Sequence, residues 1–500
     1  MKGKSCMRVI QVFQRLLYGD GVSSCILALK DVLDKNGIEN ILAVKSMDSR
    51  IKCKDVIFFE EFCDIEMSSE DIIIYHFHIG CAFNREMENL QHKKILVFHN
   101  VTPPIYFRGI DTQVMNSCLW GELDAKCTVG KYLHSIALSE FSKQNLISYG
   151  WNEADVSVIP LLSGNPSVQG DECDTEVINK YDDEWVNILF VGRIAMNKKI
   201  EDIITVFDYY QKNVNSKSRL FLVGSMGYEG YYNALCDEVE KRKTNHVIFT
   251  GHVSDAELEA YYRISDVFLC LSEHEGLCMP LIEAMKRGVP VIGYNAAAVP
   301  DTMGEAGLVV NSKDGKEISA LIQKLSEDED FREQIIQKQY KRAEEYVIDS
   351  YRREILEVIE TVDKYRDFNC ENNVKKSDFR VESEEERIKR IYKEMAFALP
   401  ANGTIVVYGA GQAGKQFYMG IKKYLQNQKV VFCDNYVKGE EVLGCRIVNH
   451  ISAVNSYKDA IYIITVQNAA LGIVHRLACD GVRAEKILFF NKRNLELAPI

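Results

Sequence analysis

Short apolar runs alternate with helix-like stretches along almost the whole chain, and this alternation constrains the fold more than any other feature. RVIQVF, ILAV, VIFF, DIIIYHF, KILVFHN and VSVIPL follow one another up to Leu161, with a helix-like stretch from Val22 to Lys35 between the first two. Strands separated by helices predict layered α/β architecture with parallel sheets. Pro160 and the polar run SGNPSVQGDECDTE then break the pattern, which places a domain boundary near residues 163–182. A second set follows in NILFVGR, RLFLVGS, HVIFTG, DVFLCLS and PVIGY, and from about Asp314 to Tyr365 the chain reads as helical. DFNCENNVKKSDFRVESEEER reads as a linker or a solvated helix start. The last set begins at TIVVYGAG and closes with KILFF. The expectation is three α/β units at 1–165, 182–345 and 388–500, with a helix near 346–365 packing back on the first. A chain of 500 residues has room for them.

Composition narrows the functional classes. A hydrophobic share of 47% and a charged share of 26% are those of a soluble globular protein. No apolar run approaches the ~18–20 residues of a membrane span. The N-terminus lacks a separate apolar stretch with a cleavage site, so no signal peptide is expected. The 15 cysteines are scattered, none pair at C-x-x-C spacing, and Cys270 and Cys433 sit inside strand runs as small hydrophobes. That usage fits a reducing cytoplasm and argues against a disulfide framework or a structural zinc site. A formal charge of −12 argues against nucleic acid as a partner while leaving room for a local basic pocket.

Ligands of open parallel sheets bind beyond the carboxyl ends of the strands, so chemistry is expected in those loops. In FVGRIAMNKKIED, residues 190–202, Gly192 ends a strand and Arg193 and Lys198 fall in the loop before a helix. Two cations and free helix N–H groups suit a diphosphate. A charged loop is equally ordinary on a surface. In SEHEGLCMPLIEAM, residues 272–285, Pro280 suits the first turn of a helix running from about Met279 to Arg287 and stopping at Gly288. Main-chain N–H groups from Gly276 through Leu277 and Cys278 to Met279 then sit at a helix N-terminus. Glu275 lies in the loop and Glu283 in the helix, about 12 Å apart along the axis if both were helical. Paired glycosidase carboxylates stand roughly 5–10 Å apart, so these two are not an acid–base couple. They suit hydroxyls at the two ends of a long ligand. The residues alone leave another reading open, in which Glu283 only favours the positive helix end and Glu275 is solvated.

His76 and His78 share a strand face but have no carboxylate or thiol at ligand spacing, so they read as packing and no metal is assigned. GAGQAG follows a strand and opens a helix, with Gly409, Gly411 and Gly414 in fingerprint positions and Asp434 about 20 residues on. Such turns also occur in Rossmann units that hold no ligand.

Taken together, G-R-I-A-M-N-K and E-G-L-C-M-P-L-I-E resemble the two motifs of the retaining family-4 glycosyltransferases, in the same order and about 80 residues apart. The resemblance covers roughly residues 7–365 and implies the GT-B fold, two Rossmann-like domains facing a cleft. By position it implies that Arg193 and Lys198 bind the donor diphosphate, Glu283 the ribose hydroxyls, and Glu275 the transferred sugar. Gly19 and Gly21, in YGDGVSS, match a glycine-containing loop near the phosphates or the acceptor. His99, in VFHNVTPP, matches a histidine lining the reaction centre. Cys278 and Lys199 stand where many members have glycine, and these departures bear on the donor sugar.

The implied activity is retaining transfer of a hexosyl group from a UDP- or GDP-hexose to a hydroxyl of a glycan or lipid-linked acceptor, in bacterial cell-surface polysaccharide synthesis. Protein cations would neutralise the leaving group, so no metal or other cofactor is required. A cytoplasmic enzyme touching the inner face of the membrane at its anchored acceptor is the implied setting. One alternative is a GT-B sugar-nucleotide epimerase, which makes product without an acceptor. Another is a non-catalytic glycan-binding partner, which tends to lose the four donor residues that all stand here. Acceptor contacts are expected on loops 46–54 and 101–120, which carry no readable code. The C-terminal unit resembles small Rossmann-type domains that accompany bacterial sugar-modifying enzymes, which implies a nucleotide or nucleotide sugar there.

Overall fold

A computed structural model of the chain describes all residues except 1–6, 63–64, 66, 163–172, 366–388, 390–391, 394, 397–398, 401, 426, 438, 467–469, 484–485, 492–495 and 500. The chain divides into two compact units, Met1–Lys375 and Lys376–Ile500. The charged run after residue 366 and much of the break at 163–182 lie outside the described residues.

The first unit contains two parallel sheets. One comprises β1 (Arg8–Leu16), β2 (Glu39–Met47), β3 (Val56–Phe58), β4 (Ile72–Phe77), β5 (Lys93–Phe98), β6 (His134–Ala137) and β7 (Val156–Val158), in the order β3-β2-β1-β4-β5-β6-β7. The other comprises β8 (Val186–Val191), β9 (Ser218–Val223), β10 (Val247–Gly251), β11 (Val267–Cys270), β12 (Val291–Tyr294) and β13 (Leu308–Val310), in the order β10-β9-β8-β11-β12-β13. Central strands β4 and β5 are buried along their whole length, as strands covered by helices on both faces must be. Each sheet reverses its strand order once, between β1 and β4 in the first and between β8 and β11 in the second. Such reversals open a crevice at the carboxyl ends of the strands. After the second sheet the chain returns to the first. The helix Arg352–Asp363 buries Ile355, Ile359 and Val362 in the core that holds Ile72 and Ile74, and Lys93 Nζ donates to the Asp363 carbonyl at 2.8 Å.

Residues 101–120 are not a single loop. A helix occupies Thr112–Cys127, capped by Asp111, whose carboxylate accepts from the N–H groups of Gln113 and Val114. Its apolar residues do not form one stripe, which is why periodicity hides it. Sequence patterning does not reveal the short strands β6 and β13 either.

The second unit is a mixed sheet of β14 (Asn402–Tyr408), β15 (Asn427–Cys433), β16 (Glu441–Val442), β17 (Cys445–Val448), β18 (Ile461–Ile464), β19 (Ile487–Asn491) and β20 (Glu496–Pro499). The order is β16-β17-β15-β14-β18-β19-β20, with antiparallel pairs at both edges, so the sheet does not close at KILFF. Gly409 has φ +109, and a Cβ on Gly414 would collide with the Gly409 carbonyl, so the helix Gln412–Ile421 packs tightly on the end of β14. Asp434 accepts from the N–H of Ala410 at 2.8 Å and of Tyr436 at 2.8 Å, which pins the glycine turn to the end of β15. Gly411 would place a Cβ in open space.

Candidate active site

The two loops of the second sheet that carry the motifs leave the adjacent strands β8 and β11, on either side of the strand-order reversal. They are tied to each other. Asn197 Nδ2 donates to the His274 carbonyl at 2.9 Å, and the N–H of Glu273 donates to the Asn197 carbonyl at 2.9 Å. Buried Ile194, Ala195 and Met196 anchor the first loop, which closes in a 3-10 turn at Met196–Lys198. This places Lys198 Nζ at 2.6 and 2.5 Å from the two carboxylate oxygens of Glu275. Burial opposes the ammonium charge, but the Glu275 carboxylate outweighs it and raises the Lys198 pKa above its ordinary value. Arg193 is exposed and has no ion pair among the described residues. Its charge acts on His78 and Tyr228 nearby.

The second loop is fixed from the first sheet's side. A Cβ on Gly276 would meet the His99 carbonyl at 2.6 Å, so only glycine permits this approach. The Gly276 carbonyl accepts from Ser139 Oγ at 2.7 Å and Ser142 Oγ at 3.2 Å. The N–H of Phe141, at the start of the helix Glu140–Tyr149, donates to Asp301 at 2.8 Å. Cys278 adopts a left-handed conformation, φ 63, directly before the helix Met279–Lys286, and Pro280 lies in that helix's first turn. Glu283 accepts from the buried Tyr262 hydroxyl at 2.9 Å. It lines a cleft of about 220 Å³ together with Tyr18, Gly19, Ser24, Met279 and Lys286. Burial pushes the Lys286 pKa down. A Cβ on Gly21 would lie 2.9 Å from the side chain of Met279, which lines that cleft.

His99 is buried in a relay. Its Nε2 lies 3.0 Å from His76 Nδ1, and His76 Nε2 lies 3.0 Å from Gln11 Oε1. Burial lowers the His76 pKa to about 3 and holds His99 well below its ordinary value, so both are neutral at pH 7. No thiol or carboxylate joins this pair in a ligand cluster among the described residues.

The geometry thus ties Lys198 to Glu275 and Gly276 to the His99 backbone, and sets Glu283 with Gly19 in one cleft, while the exposed Arg193 lies near His78 and Tyr228. Sequence reasoning missed Tyr262, Ser139, Ser142 and Gln11. Ser139 carried a signal, because it stands where a helix N-cap follows a strand and its hydroxyl accepts from the Ser142 N–H. Tyr262 carried none. The C-terminal Gly409, Gly411, Gly414 and Asp434 belong to the other unit.

Residues 173–342 match the family model Glycosyl transferases group 1. The chain therefore carries a glycosyl transferases group 1 domain, and the paired sheets of the first unit are a GT-B fold. It is 27% identical over 249 residues to the O-antigen chain mannosyltransferase B of Escherichia coli, covering 48% of this chain and 63% of that protein. It is 31% identical over 220 residues to the capsular polysaccharide biosynthesis glycosyltransferase CapM of Staphylococcus aureus, covering 42% of this chain and 56% of that protein. The chain spans less than two thirds of each relative's own length. A solved structure of Anabaena Alr3699/HepE in complex with UDP and glucose aligns with a TM-score of 0.54 at 13% identity, over 71% of this chain and 100% of that one, a likeness of fold. No helix among the described residues is long and apolar enough to cross a membrane.

Proposed function

We propose that the protein is a retaining glycosyltransferase that moves a hexosyl group from a UDP- or GDP-sugar to a hydroxyl of a glycan or lipid-linked acceptor in cell-surface polysaccharide synthesis. The observation that carries this reading is the pairing of Lys198 with Glu275, with an exposed Arg193 on the same loop as Lys198, at the reversal point of a glycosyl transferases group 1 domain. The printed names of the O-antigen and capsule relatives support the polysaccharide setting, and the UDP and glucose of the HepE structure support a nucleotide-sugar donor.

Each residue has a defined job on this reading. Glu283, held by Tyr262, accepts from the ribose hydroxyls. Arg193, Lys198 and the N–H groups before the helix Met279–Lys286 take the diphosphate. In the free protein Glu275 neutralises Lys198, so the arriving diphosphate draws the ammonium and releases carboxylate oxygens to the sugar hydroxyls. As the bond to the anomeric carbon breaks, charge grows on the departing phosphate, and the same cations stabilise it in a site shielded from water. That phosphate accepts the proton of the attacking hydroxyl on the same face, and no enzyme nucleophile is needed. Neutral His99 offers a hydrogen bond at the crevice wall without adding charge. No protein-bound metal takes part.

A panel of UDP- and GDP-hexoses, followed for release of nucleotide diphosphate and for the anomer of the product, tests the proposal. One donor should be turned over faster with a glycan acceptor than alone, with its anomeric configuration kept. Product formed at full rate from donor alone, without hydrolysis, would instead identify an epimerase.

A further inference from the structure

Two thiols meet a carboxylate inside the donor loop. Cys270 ends β11, Cys278 precedes the helix Met279–Lys286, both are buried, and their sulfurs lie 3.9 Å apart. With one oxygen of Glu275 they place three ligand atoms within 4.8 Å of one another, the one such group among the described residues. The sulfur separation matches an edge of a zinc tetrahedron, since a Zn–S bond of about 2.3 Å implies an S–S edge of about 3.8 Å. The geometry points to an inhibitory site for a thiophilic divalent cation, Zn²⁺ foremost, formed by Cys270, Cys278 and Glu275 with its fourth position open to water from the crevice.

Charge balance supports it. The resident cluster of two thiols, one carboxylate and the Lys198 ammonium is neutral overall. Zn²⁺ entering as both thiols release their protons to solvent leaves two thiolates, one carboxylate, the metal and the ammonium, which is neutral again. Burial therefore does not forbid the exchange. Two metal–sulfur bonds form, two S–H bonds break, and nothing is oxidised. Lys198 stays beside the second Glu275 oxygen. Disulfide formation would need an oxidant to reach thiols that are buried. A metal asks for no oxidant. With Glu275 ligated, the donor sugar loses its acceptor. This inhibitory consequence rests on the transferase reading, whereas the binding does not.

Cobalt titration of the full chain under reductant reads the site directly. The parent should bind Co²⁺ with a near-ultraviolet thiolate-to-cobalt charge-transfer band that Zn²⁺ displaces, releasing two protons per metal. Cys270→Ala and Cys270→Val, each checked by thermal melting, should lose the band and weaken Zn²⁺ binding by at least about tenfold. Zn²⁺ should stop donor turnover by the parent, reversibly on adding a chelator, and spare both variants. A parent without the band, a band that survives in a folded Cys270 variant, or bound Zn²⁺ that leaves turnover unchanged overturns the inference. A parent that shows the band but turns over no donor overturns the transferase reading alone and leaves the metal site standing.

Discussion

Tyr262 is the residue that turns Glu283 from a helix-end carboxylate into a positioned one. Its ring is buried, its hydroxyl reaches Glu283 at 2.9 Å, and burial with the neighbouring carboxylate raises its pKa well above the ordinary value. Tyr262→Phe removes one hydrogen bond worth about 0.5–1.5 kcal/mol, so affinity for the nucleotide diphosphate should fall roughly two- to tenfold, read by calorimetry. Unchanged affinity would mean that the tyrosine only fills space. Arg193, Lys198, Glu275 and Glu283 were legible in the sequence because each lies at fixed spacing within one loop or helix turn. Tyr262 comes from a different helix, Asp255–Arg263, and a tyrosine on an apolar helix face looks the same whether or not its hydroxyl meets a carboxylate. The pairing of Cys270 with Cys278 was hidden for a related reason. One sits in a strand and the other beyond a loop, and only the left-handed turn at Cys278 brings the sulfurs together.

At the scale of elements, the loop Ser272–Cys278 works because two sheets hold it from opposite sides. The second sheet supplies Asn197, and the first supplies Ser139, Ser142 and the His99 carbonyl. Gly276→Ala puts a methyl group 2.6 Å from the His99 carbonyl, where neither backbone can yield without moving Glu275. A displacement of about 1 Å at a reacting group costs on the order of a hundredfold, so donor turnover should fall by about that much in a folded variant. Stopped turnover assays beside circular dichroism melts would show it, and near-parent turnover would contradict the close approach. The buried strands were legible because long apolar runs bounded by turn residues admit few other structures. The helix Thr112–Cys127 was not, since it lies over the carboxyl ends of the first sheet, where Gly80 and Gly121 touch, and buries polar Asn116 and Asp124 along with apolar side chains.

For the whole molecule, the buried histidines set a pH dependence. Burial lowers His76 to about 3 and His274 to about 4, from an ordinary value of 6.5. Below about 6.5 the unfolded chain takes up protons that the folded chain refuses, so stability is greatest above that pH and falls as pH drops toward the folded pKa values. The urea midpoint of the first unit should decrease between pH 7 and pH 5, and His76→Asn should flatten the decrease. A decrease as steep in His76→Asn as in the parent would mean that this imidazole is not buried neutral. The alternation of strands and helices made the α/β layering legible, because parallel strands require crossovers. The mixed edges of the C-terminal sheet were not, since edge strands of two and four residues leave no periodic trace.

The central claim is that the crevice binds a nucleoside diphosphate with its ribose on Glu283 and its diphosphate on Arg193 and Lys198. Calorimetry of UDP and GDP against the parent, Glu283→Ala and Glu275→Ala tests it most directly. Losing hydrogen bonds to a charged group worth about 1.5–3 kcal/mol, Glu283→Ala should bind the preferred nucleotide about ten- to a hundredfold more weakly. Glu275→Ala should bind it nearly as the parent does while losing donor turnover. If folded Glu283→Ala binds the nucleotide as tightly as the parent, that carboxylate serves only the helix end, and the account of the site is wrong.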